Sequence, residues 1–327
     1  MINWLKDASK HSPWHDARVV VTGLGARGYC AADVLLEMGA QVIVLDDSHS
    51  HDDQVRLIEI LGGEVRPDAG GLPACDLIIA PDEGPDSPRL TEAGERGVPV
   101  WSDVELAWRL SQPFVPWLGV TGTQGVGDTV ALLESMLAAA GLRVSAAGMD
   151  VRPIGETILD EVSYEVLAVG MSDVDLMRSP SVRFHSATVL TLEPDDEPGE
   201  YARIYHQVSN SCVYNVGEPR TEAMVEEADV IEGARAIGFT TGIPAISMLG
   251  VVDEFMVDRA FIAQRRDSAL ELARTTDIPA GMDLTHVLAA AALARSFGVP
   301  ATAVRDGIRT FAPGRPHTNP PIEQGEK

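Results

Sequence analysis

The sequence predicts an α/β fold in which parallel β-sheets are covered by helices. Short apolar runs alternate with segments of helical apolar spacing, as in chains built from repeated β/α units. Two glycine-rich loops each lie between an apolar run and a helical segment. A length of 327 residues predicts about two domains. A stretch at 111–116 that proline interrupts twice is the predicted linker, and it divides the chain into domains at 1–112 and 113–316.

The first domain is predicted to begin with a strand, a glycine turn, a helix and a second strand. The strands are the apolar runs at 19–21 and 41–45, and the helix at 31–38 ends at Gly39. Strand and helix signals then alternate along the rest of the domain. They predict a helix at 57–61, a strand at 77–80, a helix at 90–96 and a strand at 98–101.

The second domain starts with another strand and loop, followed by a long amphipathic helix at 129–140. Its predicted strands lie at 117–120, 166–169, 187–192 and 211–216. Two more helices are predicted at 288–297 and 303–310. Proline and charged residues dominate from Pro313 onward, and residues 317–327 are predicted to be a disordered tail.

Composition limits the partners and the compartment of the chain. Lys and Arg total 25 while Asp and Glu total 49, so the net charge is −24. Nucleic acids and anionic membrane surfaces attract basic faces, so neither is an expected partner. There is no apolar run of about 18 residues that would span a membrane, and the polar N-terminal segment does not resemble a signal peptide. Three scattered cysteines fit neither a disulfide framework nor a zinc motif, so we expect a cytoplasmic location and no metal site.

The first glycine loop has the spacing G-x-G-x-x-G after a strand and before a helix. Such glycines allow a tight turn, close approach of a phosphate and helix packing, and a helix N-terminus attracts a pyrophosphate. An acidic pair ends the next strand, where it could hold a ribose or a base. The residues predicted to contact a nucleotide are Gly23, Leu24, Gly25, Ala26, Arg27, Gly28, Asp46 and Asp47. Arg27 is unusual in such a loop but could face a phosphate. The alternative is a glycine turn used only for packing.

The second glycine loop also follows a strand and precedes a helix, which is the place of a P-loop. Its residues are Gly122, Thr123, Gln124, Gly125, Val126, Gly127, Asp128 and Thr129. A P-loop needs glycines for an anion nest, a lysine for the β- and γ-phosphates and a Ser or Thr for Mg²⁺. The lysine position holds Val126 in one register and Asp128 in the other, and lysine occurs only at positions 6, 10 and 327. Because an aspartate repels a triphosphate, we expect ATP binding to be lost.

Over nearly its whole length the chain resembles the Mur ligases, most closely the MurD branch in its actinobacterial form. The resemblance rests on segments at 19–25, 104–110, 121–123, 130–137, 212–216, 238–240, 249–252 and 288–294. It implies a Rossmann-like N-terminal domain that binds a uridine nucleotide, followed by a P-loop-NTPase-like central domain. It also implies an ATP- and Mg²⁺-dependent ligase that joins D-glutamate to UDP-N-acetylmuramoyl-L-alanine through an acyl phosphate. The family's C-terminal domain, which brings D-glutamate, is expected to be absent.

Positions that carry chemistry in the family differ in this chain. The family's G-T-N-G-K-[ST]-T loop places Val126 at the lysine and Gly127 at the metal-binding hydroxyl. The metal-binding glutamate falls on Gly170, the carbamylated metal-bridging lysine falls near Tyr201, and the S-P-G turn of the N-terminal domain ends in Asp82. In phosphoryl transfer, lysine and metal ions neutralise the phosphate and carboxylates hold the metals. We therefore assign no catalytic residue and expect no cofactor, with ATP and Mg²⁺ needed only by an active ligase.

Three functions stay open at this point. The first is a MurD-like pseudoenzyme with a binding or regulatory role, whose partner is a UDP-MurNAc-type nucleotide sugar or another cell-wall synthesis protein. The second is an active ligase in which Arg143, Arg152 or Arg178 replaces the lysine and a partner chain supplies the missing domain. The third is an NAD-type oxidoreductase that uses the first loop and Asp46. The third lacks an obvious proton donor beside that loop.

Overall fold

The computed structural model of the chain describes residues 2–47, 52–67, 71–84, 86–111 and 115–313. These residues form two β-sheets with helices packed on them, so the predicted α/β fold is confirmed. The centre of the predicted linker, 112–114, and the predicted tail, 317–327, lie outside the described residues. The domain boundaries at 112 and 316 therefore stay predictions.

The first sheet has five parallel strands in the order β3-β2-β1-β4-β5. These strands are β1 (Arg18–Thr22), β2 (Gln41–Leu45), β3 (Glu64–Arg66), β4 (Leu77–Ile79) and β5 (Val100–Trp101). The helices of this first domain are α1 (Ala26–Glu37), α2 (Asp52–Ile60), α3 (Pro88–Arg96) and α4 (Asp103–Leu110). Strands β1, β2 and β4 are buried along almost their whole length because helices cover the sheet on both faces, as a parallel sheet requires.

The second sheet has nine strands in the order β14-β13-β12-β11-β10-β9-β6-β8-β7, antiparallel only where β13 pairs with β12 and β14. Its parallel strands are β6 (Trp117–Thr121), β7 (Val144–Gly148), β8 (Val166–Met171), β9 (Ser186–Val189), β10 (Ser211–Asn215) and β11 (Arg235–Phe239). The strands of the antiparallel edge are β12 (Met248–Val252), β13 (Phe255–Asp258) and β14 (Leu270–Arg274). The helices of this second domain are α5 (Val126–Ala139), α6 (Glu156–Leu159), α7 (Asp173–Met177), α8 (Pro198–Tyr201), α9 (Pro219–Glu226), α10 (Leu284–Ser296) and α11 (Ala301–Thr310).

The largest core of the second domain lies where α5, α10 and α11 pack on its sheet. Every residue from 287 to 294 in α10 is buried, which explains why this stretch is apolar on all sides of the helix. A Cβ on Gly307 of α11 would lie 2.5 Å from the Cα of Met136 in α5, so these two helices touch through glycine. This packing fixes α5, and with it the loop that precedes α5.

Each strand predicted from an apolar run is present, and each predicted helix is present but begins two to five residues earlier. The first turns of α1, α2, α3 and α5 contain Gly, Asp, Pro or Arg, which have no apolar spacing, but such turns still form where the backbone N–H groups reach solvent or a loop. Strands β3, β7, β11 and β12 to β14 and helices α4 and α6 to α9 are additions to the prediction. In β3 and β14, charged positions hide the alternation on which strand prediction depends.

Candidate functional site

The first glycine loop has the close-packed geometry that its spacing predicts. Gly23 has a φ of 79° where the chain leaves β1. A Cβ on Gly28 would lie 2.1 Å from the carbonyl oxygen of Gly23, so only glycine lets α1 start this close to the loop. Helix α1 begins at Ala26, and no side chain caps its N-terminus. The backbone is therefore that of a phosphate-binding turn.

Carboxylates lie around this loop. Asp46 Oδ1 accepts a hydrogen bond from the backbone N–H of Leu24 at 3.2 Å, so Asp46 lies beside the loop. Its neighbour Asp47 interacts electrostatically with a side chain of α3. Asp82 Oδ2 lies 3.7 Å from the place of a Cβ on Gly25. A like charge about 4 Å from a phosphate costs about 1 kcal/mol in water and several times that near a protein. The loop thus combines the backbone of a phosphate site with an acidic rim.

Arg27 of this loop binds acids from both domains. Its Nη2 donates to Asp103 Oδ1 and to Asp175 Oδ1, each at 2.5 Å, and its Nε donates to Asp103 Oδ2 at 3.2 Å. Its Nη1 donates to the carbonyl oxygen of Pro81 at 3.2 Å and to Asp82 Oδ1 at 3.3 Å. Protein oxygens therefore take all five N–H donors of Arg27. This use of its donors argues against the expected contact between Arg27 and a phosphate.

We call Arg27, Asp82, Asp103 and Asp175 the Arg27 clamp. Burial opposes the charge of Arg27, but Asp103 and Asp175 hold its pKa above the ordinary value. Burial also raises the pKa of Asp103, to about 6. There the Arg27 guanidinium opposes the shift and Asp175 adds to it. Because two buried carboxylates share one guanidinium, the clamp has more acid than base.

Further contacts join the domains beside the clamp. Arg178 Nη1 donates to the carbonyl oxygen of Ala80 at 2.9 Å, and the hydroxyls of Ser102 and Ser179 lie 2.6 Å apart. The side chains of Ser102, Arg178 and Ser179 are polar and buried. Buried polar groups are stable only when they are paired, so this contact holds the two domains in one arrangement.

In the second glycine loop, α5 begins at Val126 directly after Gly125, which has a φ of 72°. Val126 is buried, and its Cγ1 lies 3.0 Å from the place of a Cβ on Gly170 in β8. These are the positions at which the family resemblance places the phosphate-binding lysine and the metal-binding glutamate. In this chain the Val126 side chain lies close against Gly170, and a glutamate at 170 would need Val126 to shift.

The position of the metal-binding hydroxyl is also closed. A Cβ on Gly127 would lie 2.7 Å from the Cβ of Asp150 and 2.9 Å from its carbonyl oxygen, so no Ser or Thr fits without a backbone shift. The other possible register offers no free hydroxyl either. Thr129 is buried, and its Oγ1 donates to the carbonyl oxygen of Gly125 at 2.7 Å. Asp128 is exposed in the first turn of α5, where a carboxylate favours the helix and repels a phosphate.

The imidazole of His286 covers this loop at Gly125. A Cβ on Gly125 would lie 2.0 Å from His286 Cε1. Burial lowers the pKa of His286, and Asp283 and Asp128 only oppose this shift. The ring is therefore neutral near pH 7 and supplies no positive charge in place of the lysine.

The rest of the loop is tied to the segment that follows β9. Thr123 donates to the carbonyl oxygen of Thr191 through its backbone N at 3.0 Å and through its Oγ1 at 3.1 Å. Gln124 Nε2 donates to Glu193 Oε1 at 2.9 Å. A Cβ on Gly122 would lie 3.1 Å from the carbonyl oxygen of Thr191. The backbone of the loop is thus held by its own chain, and Glu193 adds a carboxylate.

The arginines considered as replacements for the lysine bind other groups. Arg143 Nη1 lies 3.4 Å from Glu165 Oε2, and Arg152 forms an ion pair with Asp160. Arg178 binds a backbone carbonyl of the first domain, as described above. In the described part of the chain, none of the three makes a hydrogen bond to the second loop.

The part of the chain that the structure describes contains neither a metal-ligand cluster nor a membrane-spanning helix. Over residues 2–47, 52–67, 71–84, 86–111 and 115–313, no group of three or more His, Cys, Asp or Glu side chains is placed to hold a metal ion. In these ranges, no helix is both long enough and apolar enough to cross a bilayer. The acids that do gather, Asp103 and Asp175, share Arg27 instead.

Comparison with known proteins decides the family. The UDP-N-acetylmuramoylalanine–D-glutamate ligase of Streptomyces avermitilis is 47% identical over 317 residues, covering 92% of this chain and 68% of the relative. The protein of the same name from Streptomyces coelicolor is 48% identical over 326 residues, with the same two coverages. The chain belongs to the UDP-N-acetylmuramoylalanine–D-glutamate ligase family. No protein-family model matches it.

Solved structures support the same fold for this MurD-family chain. UDP-N-acetylmuramate:L-alanyl-gamma-D-glutamyl-meso-diaminopimelate ligase from Neisseria meningitides has a TM-score of 0.59 at 14% identity, over 90% of this chain and 98% of the other. UDP-N-acetylmuramate-alanine ligase from Thermotoga maritima has a TM-score of 0.53 at 15% identity, over 90% of this chain and 68% of the other. The Rossmann-like and P-loop-like architecture is confirmed, and nothing in these comparisons supports the oxidoreductase hypothesis.

The buried acids of the clamp, Asp103 and Asp175, were not found by sequence reasoning. Two signals for them exist. Arg27 needs counter-charges in a chain of net charge −24, and both acids lie next to helix starts of the S-x-x-[DE] type, at 102–105 and 172–175. What sequence alone could not show is that these two helix starts meet across the domains.

Proposed function

We propose that this chain is a Mur ligase homologue that has lost phosphoryl transfer and acts as a binding or regulatory module in peptidoglycan precursor synthesis. The observation that carries the proposal is the contact between Val126 and the site of a Cβ on Gly170. By the family resemblance, Val126 stands in place of a lysine and Gly170 in place of a metal-binding carboxylate, so neither charge is present there. Losing a single charge-stabilising group can cost about 10²–10³ in rate, and here several groups are lost together.

The distribution of the substituted positions supports a specific loss of phosphoryl transfer and not a general loss of sequence constraint. Residues of the central strands and of α5 and α10 are buried in continuous cores, and these segments keep the resemblance to the family. The changed positions, Val126, Gly127 and Gly170, lie together at the mouth of the second loop. The residues present do not fit Mg²⁺·ATP, so we propose no ATP or metal cofactor.

The nucleotide-sugar partner of the proposed module binds at the first loop. The relatives' name includes UDP-N-acetylmuramoylalanine, a nucleotide sugar. The close packing of Gly28 on Gly23, the uncapped start of α1 and the contact between Asp46 and Leu24 support such a site. The acidic rim at Asp82 weakens the site without filling its backbone nest. A cytoplasmic location follows from such a substrate and is part of the proposal.

The second candidate, an active ligase completed by a partner chain, has weaker support. It needs a cation at the second loop, and Arg143, Arg152 and Arg178 all bind other groups. Neutral His286 supplies no substitute. An active ligase is therefore a possible result of the binding experiment below and not the proposed function.

Thermal shift and calorimetry with four ligands test the proposal. UDP-MurNAc-L-Ala and UDP are expected to raise the melting temperature, because a ligand at about 100 times its Kd stabilises the folded state by about 2.7 kcal/mol. ATP with Mg²⁺ and NAD are expected to leave it unchanged. The variant Asp46→Asn should weaken the response to UDP, whereas Asp195→Asn, an exposed acid of the second domain, should not.

Two results contradict the proposal. A clear response to ATP with Mg²⁺, together with phosphate release, overturns the loss of phosphoryl transfer. No response to UDP or to UDP-MurNAc-L-Ala overturns the nucleotide-sugar site. The two parts of the proposal therefore fail separately.

A further inference from the structure

Two buried carboxylates of the Arg27 clamp contact the same nitrogen atom. Asp103 Oδ1 and Asp175 Oδ1 each accept a hydrogen bond from Arg27 Nη2 at 2.5 Å. The side chains of Asp103 and Asp175 are 3% and 0% exposed. Burial disfavours the charged form of a carboxyl group, and a like charge beside it disfavours that form further. The clamp is therefore a place in the fold where a carboxylate can take up a proton near neutral pH.

Asp103 is the member of this pair that takes up the proton. Burial raises its pKa to about 6, the Arg27 guanidinium opposes this shift, and Asp175 and Asp82 add to it. Asp103 is therefore charged well above this pH and neutral well below it. A neutral carboxyl group keeps a carbonyl oxygen that accepts a bond from Arg27, so protonation removes a charge without breaking the clamp.

Other charged and titratable side chains surround Asp103 on the elements that pack against α4. Burial, with smaller contributions from Glu156 and Asp103, raises the pKa of the Cys30 thiol to about 12, so this thiol stays neutral. Glu105 forms an ion pair with Arg109 on the next turn of α4. None of the surrounding side chains is a histidine, so no imidazole accounts for a titration of the clamp near pH 6. They are Arg27, Cys30 and Asp33 of α1, Asp82 after β4, Glu105 and Arg109 of α4, Arg152 and Glu156 beside α6, and Asp173, Asp175 and Arg178 in and after α7.

The clamp reaches the first glycine loop through Arg27 and Asp82. Arg27 lies in the first turn of α1, whose N-terminus is uncapped. Asp82 Oδ1 accepts a bond from Arg27 Nη1 at 3.3 Å, and Asp82 Oδ2 lies 3.7 Å from the place of a Cβ on Gly25. A phosphate at this loop therefore adds its negative charge beside the clamp, where it favours the neutral form of a carboxyl group.

We infer that binding of a nucleotide sugar at the first loop is coupled to uptake of a proton, from solvent, by the Asp103 carboxylate. The inference rests on the proposed nucleotide-sugar site and adds a regulation of that site by pH. A bound pyrophosphate brings negative charge to a cluster that already has more acid than base. Protonation of Asp103 removes one of the cluster's charges, so the proton and the ligand each favour binding of the other.

The direction of the pH dependence follows from this coupling. Below about pH 6 Asp103 is neutral before the ligand arrives, so the ligand meets less repulsion. Above that pH the ligand either meets the charged carboxylate or must bind together with a proton. The affinity for the nucleotide sugar therefore falls as the pH rises through about 6.

Calorimetry with UDP-MurNAc-L-Ala on the whole chain tests the inference. Its pyrophosphate is esterified at both ends and has no group that titrates near pH 6, unlike the terminal phosphate of UDP. Titrations in two phosphate-free buffers of different ionisation enthalpy should give different heats, which correspond to uptake of a few tenths of a proton near neutral pH. At constant salt, the Kd should rise about threefold or more between about pH 5.5 and about pH 7.5.

Two variants assign the proton to Asp103. Asp103→Asn resembles the neutral acid, so at about pH 7.5 it should bind as tightly as the wild type does at about pH 5.5, with equal heats in both buffers. Asp195→Asn removes an equal charge at an exposed acid of the second domain and should keep the wild-type pH dependence. Circular dichroism shows whether each variant is folded. The two-buffer measurement on the wild type needs no variant, so it remains decisive if Asp103→Asn does not fold.

The outcomes distinguish this inference from the proposed function. No binding of UDP-MurNAc-L-Ala at any pH overturns the nucleotide-sugar site, and the coupling with it. Binding with one Kd at all pH values and equal heats in both buffers overturns the coupling and leaves the site intact. Proton uptake that persists in folded Asp103→Asn places the proton on another group and also overturns the inference.

Discussion

The two glycine loops have the same strand–loop–helix frame, and they differ in what lies in front of it. At the first loop, Asp82 lies close to Gly25, and the donors of Arg27 are all taken by protein oxygens. At the second loop, the imidazole of His286 lies against Gly125, and Val126 lies against Gly170. The first loop is thus distinguished by the charges around it, and the second by the side chains packed on it.

The difference between the two loops shows that residues needed for packing and residues needed for catalysis are under different constraints. Glycine backbones, strands and helices are kept by close contacts such as Gly28 on Gly23, whose loss would affect folding. Lysine and metal-binding carboxylates contribute little to folding, because an isolated charge at a loop mouth is solvated in either state. Under the proposed function, phosphoryl transfer is lost at the second loop without loss of the fold, and the first loop keeps its binding role.

The largest expected effect comes from the clamp of the first loop. Arg27→Ala leaves Asp103 and Asp175 buried without a counter-charge, so it should lower the free energy of unfolding by about 3–5 kcal/mol. Urea unfolding measures this change. Arg203→Ala, at an exposed arginine, should change the free energy by no more than about 0.5 kcal/mol. A cost below about 1 kcal/mol for Arg27→Ala would show that the clamp does not hold the domains.

Replacing one glycine of each loop by alanine tests which neighbouring atoms leave no room for a Cβ. Gly28→Ala meets a backbone carbonyl at 2.1 Å, which cannot move without breaking the turn, so we expect a loss of about 3 kcal/mol in stability. Gly125→Ala meets the imidazole of His286 and has a positive φ. Its cost should fall by about 1 kcal/mol in a His286→Ala background. An unchanged cost in that background would mean that His286 does not cover the loop.

The pH dependence of stability tests the acidity of the clamp. Burial raises the pKa of Asp103 to about 6, above its value of about 4 in the unfolded chain. A raised carboxyl pKa stabilises the folded state fully below about pH 4, and this stabilisation is lost as the pH rises through about 6. Asp103→Asn should therefore remove a decline on the order of 2 kcal/mol over that range. Asp53→Asn, on the exposed face of α2, should keep the wild-type slope, and identical slopes for all three proteins would contradict the assignment.

The smallest expected effect concerns the acidic rim of the first loop. Asp82→Asn removes a negative charge close to the place of a phosphate, so the affinity for UDP should rise about fivefold, equivalent to about 1 kcal/mol. Calorimetry at low salt measures it. Asp195→Asn serves as the control of equal charge change. An affinity that is the same in Asp82→Asn and the wild type would place the phosphates of UDP elsewhere.

Much of the fold was predictable from the sequence, and particular residues show why. The strand at Val19–Val21 and the helix around 288–294 are apolar runs whose burial follows from their length and composition. Both glycine loops were placed correctly between strand and helix. The assignment of the family's lysine and carboxylate positions to Val126 and Gly170 stays a prediction.

What the sequence could not show depends on contacts between distant segments. Gly170 is an ordinary strand glycine until β8 brings it beside Val126, and His286 is an isolated histidine until α10 brings it over Gly125. Arg27 was expected at a phosphate because its own loop predicts that contact. Its true partners come from 76 and 148 residues further along the chain, and no local pattern predicts such pairing.

Titration of ATP with Mg²⁺ into the whole chain tests the central claim most directly. The Streptomyces avermitilis relative, titrated under the same conditions, serves as the positive control. If Val126 and His286 close the second loop, the chain gives no saturable heat where the relative does, and it releases no phosphate. Saturable binding that Gly125→Val abolishes would place the nucleotide in the second loop and contradict the account.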